Sequence, residues 1–82
     1  MTIEEKLTKR AIKEAEAIFK SDDRLGTCNP YYAPSFHRIL NALKDNGFDT
    51  TSDCEENIRL AFVFHRAFSD EYRMRYAYRY AP

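Results

Sequence analysis

Apolar positions three and four residues apart dominate the first part of the chain. Ile3, Leu7, Ala11, Ala15 and Ile18, joined by Ile12 and Phe19, make one stripe of the kind an amphipathic helix buries. Thr2 and Glu5 stand at its start as a capping box, in which hydroxyl and carboxylate satisfy backbone donors that the first turn leaves free. Glu5 with Lys9, and Glu16 with Lys20, are favourable pairs one turn apart on the solvated side. The pattern predicts a first helix of about twenty residues. Ser21 to Ala33 breaks it: Asp22, Asp23, Gly26, Asn29 and Pro30 favour turns, so this stretch reads as a loop. Tyr31 and Tyr32 sit there between Pro30 and Pro34, and an ordered loop of this kind lays its rings over the core.

Pro34 suits the first turn of a second helix, where its missing N–H is not needed. Phe36, Ile39, Leu40 and Leu43 follow as a stripe to be buried, and Asn46-Gly47-Phe48 reads as a glycine stop with Phe48 folding back toward Leu43. Ser52 and Glu55 repeat the capping-box pattern. Cys54, Ile58, Ala61, His65 and Phe68 then recur at helical spacing, with Leu60, Phe62, Phe64 and Ala67 widening the apolar face. A helix so widely apolar is expected at the centre, packed by the other two.

The last segment, Ser69 to Pro82, fits two periods. As a strand it alternates, with Tyr72, Met74, Tyr76, Tyr78 and Tyr80 on one side and Arg73, Arg75, Ala77, Arg79 and Ala81 on the other. As a helix capped by Ser69 it places Tyr72, Tyr76 and Tyr80 on one face, with Met74 and Tyr78 nearly opposite. The only pairing partner for a strand is the Ile58 to Phe64 run, which itself reads as helix, and an isolated two-stranded ribbon is marginal. The helix is therefore the expected state. The fold expected is an all-α, single-domain bundle of three to four helices over residues 1–82, with an α+β chain ending in a hairpin as the alternative.

Eighty-two residues exclude a wound nucleotide-binding sheet or a barrel, and 44% hydrophobic with 32% charged residues fits a folding domain rather than a disordered one. Thirteen basic residues balance thirteen acidic ones, so the overall positive charge of a nucleic-acid binder is missing. Met-Thr-Ile-Glu-Glu-Lys carries no basic start followed by an apolar stretch, and no apolar run approaches a membrane span. These features predict a soluble, cytoplasmic protein without direct membrane insertion, with Cys28 and Cys54 as reduced thiols.

Chemistry is sparse. Cys28, His37, Cys54 and His65 lack the closely spaced pairs of structural zinc sites, so no metal is expected. Cys28 precedes Asn-Pro-Tyr-Tyr and resembles no nucleophile motif. The acidic clusters Asp22-Asp23, Asp53-Glu55-Glu56 and Asp70-Glu71 sit at loops or helix starts, where acidic residues need no catalytic role, and no glycine-rich phosphate loop is present. No enzyme and no cofactor is expected. The second and third helices superficially resemble a helix-turn-helix, but the reading helix would then present Asp53, Glu55 and Glu56 to phosphates.

The tail is the candidate interface. Residues 59–82 hold five arginines against Asp70 and Glu71, interleaved with tyrosines. Arginine and tyrosine grip phosphate and stack on bases, and they are also what protein interfaces prefer. One short helix cannot bury both aromatic faces in so small a chain, so one face is expected to meet a partner. The expected partner-binding residues are Tyr72, Arg73, Arg75, Tyr76, Tyr78, Arg79 and Tyr80, with Tyr31 and Tyr32 as neighbours. Residues 21–58 are acidic, so the molecule is polarised and suited to self-association as well. The order expected is protein partner, self-association, then RNA bound by the same segment.

The length, the N-terminal run Thr2-Ile3-Glu4-Glu5-Lys6-Leu7, the Cys28-Asn29-Pro30-Tyr31-Tyr32 loop and the Tyr-Arg tail together resemble the lysis-inhibition accessory proteins of T-even-type bacteriophages. The resemblance implies a phage-encoded antiholin in the host cytoplasm. Such a protein binds the cytoplasmic N-terminal part of the holin and, together with a periplasmic antiholin, delays lysis. It assigns no functional residues.

Overall fold

The structure of the protein, a computed structural model, describes residues 1–51 and 54–80. It is all-α: helix α1 spans Ile3–Leu25, α2 spans Phe36–Asp45 and α3 spans Glu55–Tyr80, with no strand among the described residues. The tail is therefore helical as far as Tyr80, and the hairpin alternative is set aside.

Thr2 caps α1 as its sequence predicts, its hydroxyl accepting from the Glu5 N–H at 3.2 Å. The helix runs five residues further than the turn-forming residues suggest, taking in Ser21, Asp22 and Asp23. The stop comes at Gly26, whose φ of 70° allows its N–H and that of Thr27 to close back on the carbonyls of Asp23 and Asp22. α2 starts two residues later than Pro34 suggests. Ser35 is the cap, its Oγ accepting from the Arg38 N–H at 3.2 Å, and Pro34 is buried just before it. Its end is as read from sequence: Gly47 takes a φ of 89°, and the Phe48 N–H reaches the Leu43 carbonyl at 3.1 Å.

The Ser52 half of the expected cap on α3 lies outside the described residues. From Glu55 the helix continues unbroken through Ser69, so the described residues form three helices and Ser69 caps nothing. Its hydroxyl is buried in mid-helix without a hydrogen-bond partner among the described residues. At 1.5 Å per residue α3 is about 39 Å long, close to the molecule's 43 Å long axis.

The core is one seam. Leu7, Ala11, Ala15 and Phe19 on α1 meet Leu60, Phe64, Phe68 and Tyr72 on α3, each set repeating every four residues. Ala11 and Ala15 are small, which lets the backbone of α1 approach the ring-bearing stripe of α3. Glu4 pairs with Arg59 near the two helix starts, at 2.8 Å, and Asp23 pairs with Arg79 near the two ends, at 3.4 Å, so α1 and α3 run parallel. α2 returns antiparallel to α1, with Asp45 on Arg10 at 2.6 Å and Arg38 on Glu14 at 2.5 Å. It contributes Ile39, Ala42 and Leu43 to the core.

Ten residues of helix cover only half the seam. The remaining half is closed by the segment before α2, where Tyr32 stacks on Tyr72 at 4.7 Å and on Phe68 at 5.8 Å. Two expectations about burial change as a result. Phe36 turns away from the core and is 74% exposed, and on α3 Ile58 and Phe62 remain 52% and 68% exposed. α3 is central, yet α2 is too short and too narrow to wrap its whole apolar circumference.

Tight packing at the alanines makes a direct prediction. Ala15→Leu should lower stability by about 1–3 kcal/mol through overpacking, whereas Ala17→Leu, on the exposed side of α1, should leave urea midpoints nearly unchanged.

Candidate protein-binding site

Each tail side chain takes its place from the helical period of α3 and from the carboxylates α1 puts beside it. Tyr72 faces the seam and is fully buried. Its hydroxyl donates to Asp22 Oδ2 at 2.7 Å, and its ring meets Phe19 edge-on at 5.4 Å. Burial, then the Asp22 bond, pushes the Tyr72 phenol well above its ordinary value. This residue, and Tyr32 stacked upon it, belong to the core.

Four further residues are fastened to the frame. Arg75 donates from Nε to Glu71 at 2.9 Å and lies 3.2 Å from Glu16 across the seam. Tyr80 donates its hydroxyl to Asp23, the residue that also receives Arg79. Tyr76 packs on the Tyr80 ring at 4.9 Å, and the Arg79 guanidinium lies over that ring at 5.5 Å. The Tyr80 bond, with Arg79 beside it, holds the Asp23 carboxyl below the usual range, and the same bond raises the Tyr80 phenol. Lys20 first and Arg75 second do likewise for Glu16.

Three of the nine sequence-predicted residues remain open. Tyr78 is 86% exposed, Arg73 is exposed without a carboxylate partner among the described residues, and Tyr31 projects from the loop. Tyr31 is held by its own N–H, which donates to Asn29 Oδ1 at 2.9 Å. Tyr78 comes six residues after Tyr72, which turns it about a third of a revolution away from the ring that Tyr32 covers. The loop tyrosine and the tail tyrosine therefore do not form one patch.

What Tyr78 does join is a groove between α1 and α3. One section, about 390 Å³, is lined by Phe19, Glu71, Met74, Arg75, Tyr78 and Arg79. The next, about 220 Å³, shares Glu71 and Met74 and continues along Thr8, Ile12, Ala67 and Asp70. Met74 bridges the two. Ile12 and Ala67 were assigned to the core by their spacing, but here they stand half-buried at its edge. The signal for them is angular: Ile12 sits one residue past the Ala11 stripe, and only the position of α3 decides which side of that stripe is open.

The groove is long, shallow and mixed in polarity, a form suited to an amphipathic segment rather than to an enclosed reactant. Among the described residues no group of three His, Cys, Asp or Glu side chains is arranged to hold a metal ion. Cys28 is half-buried with its Sγ 4.0 Å from the Phe19 carbonyl, and Cys54 is exposed; both are free thiols. No helix among the described residues is long and apolar enough to cross a membrane. Protein-family models, curated proteins and solved structures yield no match to the chain.

The Tyr72 and Asp23 shifts have opposite signs in pH. A phenol raised above its ordinary 10.0 stabilises the fold fully below that pH and loses its contribution as pH climbs toward the folded value, because the unfolded chain ionises first. A carboxyl lowered from 3.8 contributes above that pH and loses its contribution as pH falls through the folded value. Tyr72→Phe should therefore flatten the alkaline side of a stability-against-pH curve measured by urea unfolding. Near neutrality it should cost about 1–2 kcal/mol, by leaving Asp22 Oδ2 without the tyrosine donor.

Proposed function

We propose that the protein is a non-catalytic regulator that binds a protein partner stoichiometrically through the α1–α3 groove and the Tyr78 side of α3. The observation that carries this reading is Tyr78 itself, 86% exposed at one end of the groove next to the exposed Met74. Tyrosine offers a large contact surface at small entropic cost, and methionine adapts to an irregular partner surface. The arginines on either side are held in place by Glu71, Glu16 and Asp23, so little freedom remains to be lost on binding.

The resemblance to lysis-inhibition accessory proteins supplies the specific form of the proposal: a phage-encoded inhibitor, working in the host cytoplasm, that delays lysis by engaging the cytoplasmic N-terminal part of a holin. A groove fit for an amphipathic segment supports a partner of that kind. The RNA-binding alternative uses the same arginines, but Arg75 and Arg79 already face carboxylates within 3.4 Å, which offsets the charge a phosphate would seek.

Tyr78→Ala should weaken partner binding by about 2 kcal/mol or more while leaving thermal unfolding unchanged, since the side chain is outside the core. Isothermal titration with the soluble cytoplasmic segment of a holin, at low and moderate salt, tests this. Unchanged affinity in the variant removes Tyr78 from the interface. Retention of nucleic acid that collapses as salt rises replaces the protein reading with the RNA one.

A further inference from the structure

Half a turn around α3 from Met74 and Tyr78, a second apolar face lies open. Phe62 and Ile58 project from α3, and Phe36, with the half-buried Leu40, projects from α2 beside them. Between the two helices runs a groove of about 130 Å³, lined by Phe36, Leu40 and Ile58 and by Ala61 and Leu43 among others, and Phe62 stands one turn along α3 from Ile58. That volume falls below the several hundred cubic ångströms of a small-molecule pocket and suits a single inserted side chain.

The stripe along α3 is self-complementary. Glu55, Ile58, Phe62 and Arg66 follow one another at intervals of three and four, so they lie along one side of the helix with an acid at one end and a base at the other. Glu55 has no ion-pair partner among the described residues, and the nearest carboxylate to Arg66 is Asp70, at 4.0 Å with both groups well exposed. A two-fold axis crossing α3 midway between Glu55 and Arg66 sets Glu55 opposite the second copy's Arg66. Within one residue's rise of about 1.5 Å it also sets Ile58 opposite the second copy's Phe62. Leu40 and Phe36 then close over the centre from both copies, and the two α2–α3 hairpins make a four-helix core.

We propose that this face binds a second copy of the chain as an isologous, antiparallel dimer. Phe36, Phe62 and Ile58 leave about 350 Å² of apolar surface open, which is the centre of an interface at the small end of the range for specific pairs. A formal net charge of zero adds no repulsion between copies. The proposal is independent of the partner groove, which lies on the other side of α3.

Sedimentation equilibrium of the full chain from about 1 to 500 µM should show a monomer–dimer equilibrium with a micromolar dissociation constant. Phe62→Asp should weaken it about a hundredfold, with unchanged helical circular dichroism because the side chain lies outside the core. Glu55→Arg and Arg66→Glu should each weaken it about tenfold, and the double reversal should recover most of that loss. Tyr78→Ala should leave the dimer intact. A chain that stays monomeric throughout overturns the proposal, as does a double reversal no better than the single ones, or a dimer abolished by Tyr78→Ala.

Discussion

Two helices that run in the same direction must be joined by chain that travels back along them, and that constraint shapes the molecule. α1 and α3 are parallel, so residues 26–54 have to cover the length of the seam on their return. They do so in two unlike pieces. The α2 helix seals one half with Ile39, Ala42 and Leu43, and a non-helical stretch seals the other by laying Tyr32 flat on Tyr72 and Phe68. A longer α2 would have covered the apolar side of α3 more fully. The exposure of Phe36, Ile58 and Phe62 follows from the economy of that return path.

The same parallel arrangement settles an electrostatic problem. Asp22 and Asp23 fall in the last turn of α1, where the helix dipole disfavours negative charge. The end of α3 arrives beside them with the Tyr72 hydroxyl, the Tyr80 hydroxyl and the Arg79 guanidinium. The carboxylates are satisfied, α1 gains its last turn, and the tail of α3 is held instead of fraying. The composition that makes the tail look like a pure interface therefore has two uses, one structural and one facing outward.

Local signals in the sequence proved sufficient for the caps at Thr2 and Gly47 and for the buried stripe of α1, because each depends on residues within a turn or two of one another, whereas on α3 the stripe led by Cys54 and Ile58 gives way to Leu60, Phe64, Phe68 and Tyr72. The helical state of the tail followed from the want of a strand partner and not from its pattern, which alternates as a strand would, because the only candidate partner, the Ile58 to Phe64 run, itself reads as helix. Asp22 and Asp23 were misread as turn residues because their donors lie fifty or more positions away, at Tyr72 and Tyr80. The same distance in sequence hid the ties of Arg75 to Glu16 and of Arg79 to Asp23, which narrow the open face to Tyr78, Arg73 and Met74. Ser69 looked like a cap because a hydroxyl at a boundary and one in mid-helix have the same sequence. Phe36 and Phe62 looked buried because periodicity identifies an apolar side without saying whether a neighbour reaches it.

The parallel seam also sets how the chain must find its fold. Helical bundles ordinarily fold fast because most of their contacts are local, but here the polar ties between α1 and α3 join residues 50 to 59 positions apart in a chain of 82. Neighbouring helices in sequence share less of the core than the first and last do, so an α1–α2 or α2–α3 fragment forms little of it alone. The loop-closure entropy of most of the chain is spent before the main hydrophobic reward arrives. By secondary structure this is a helical protein, whereas by contact order it resembles domains whose termini must meet before anything else is secure.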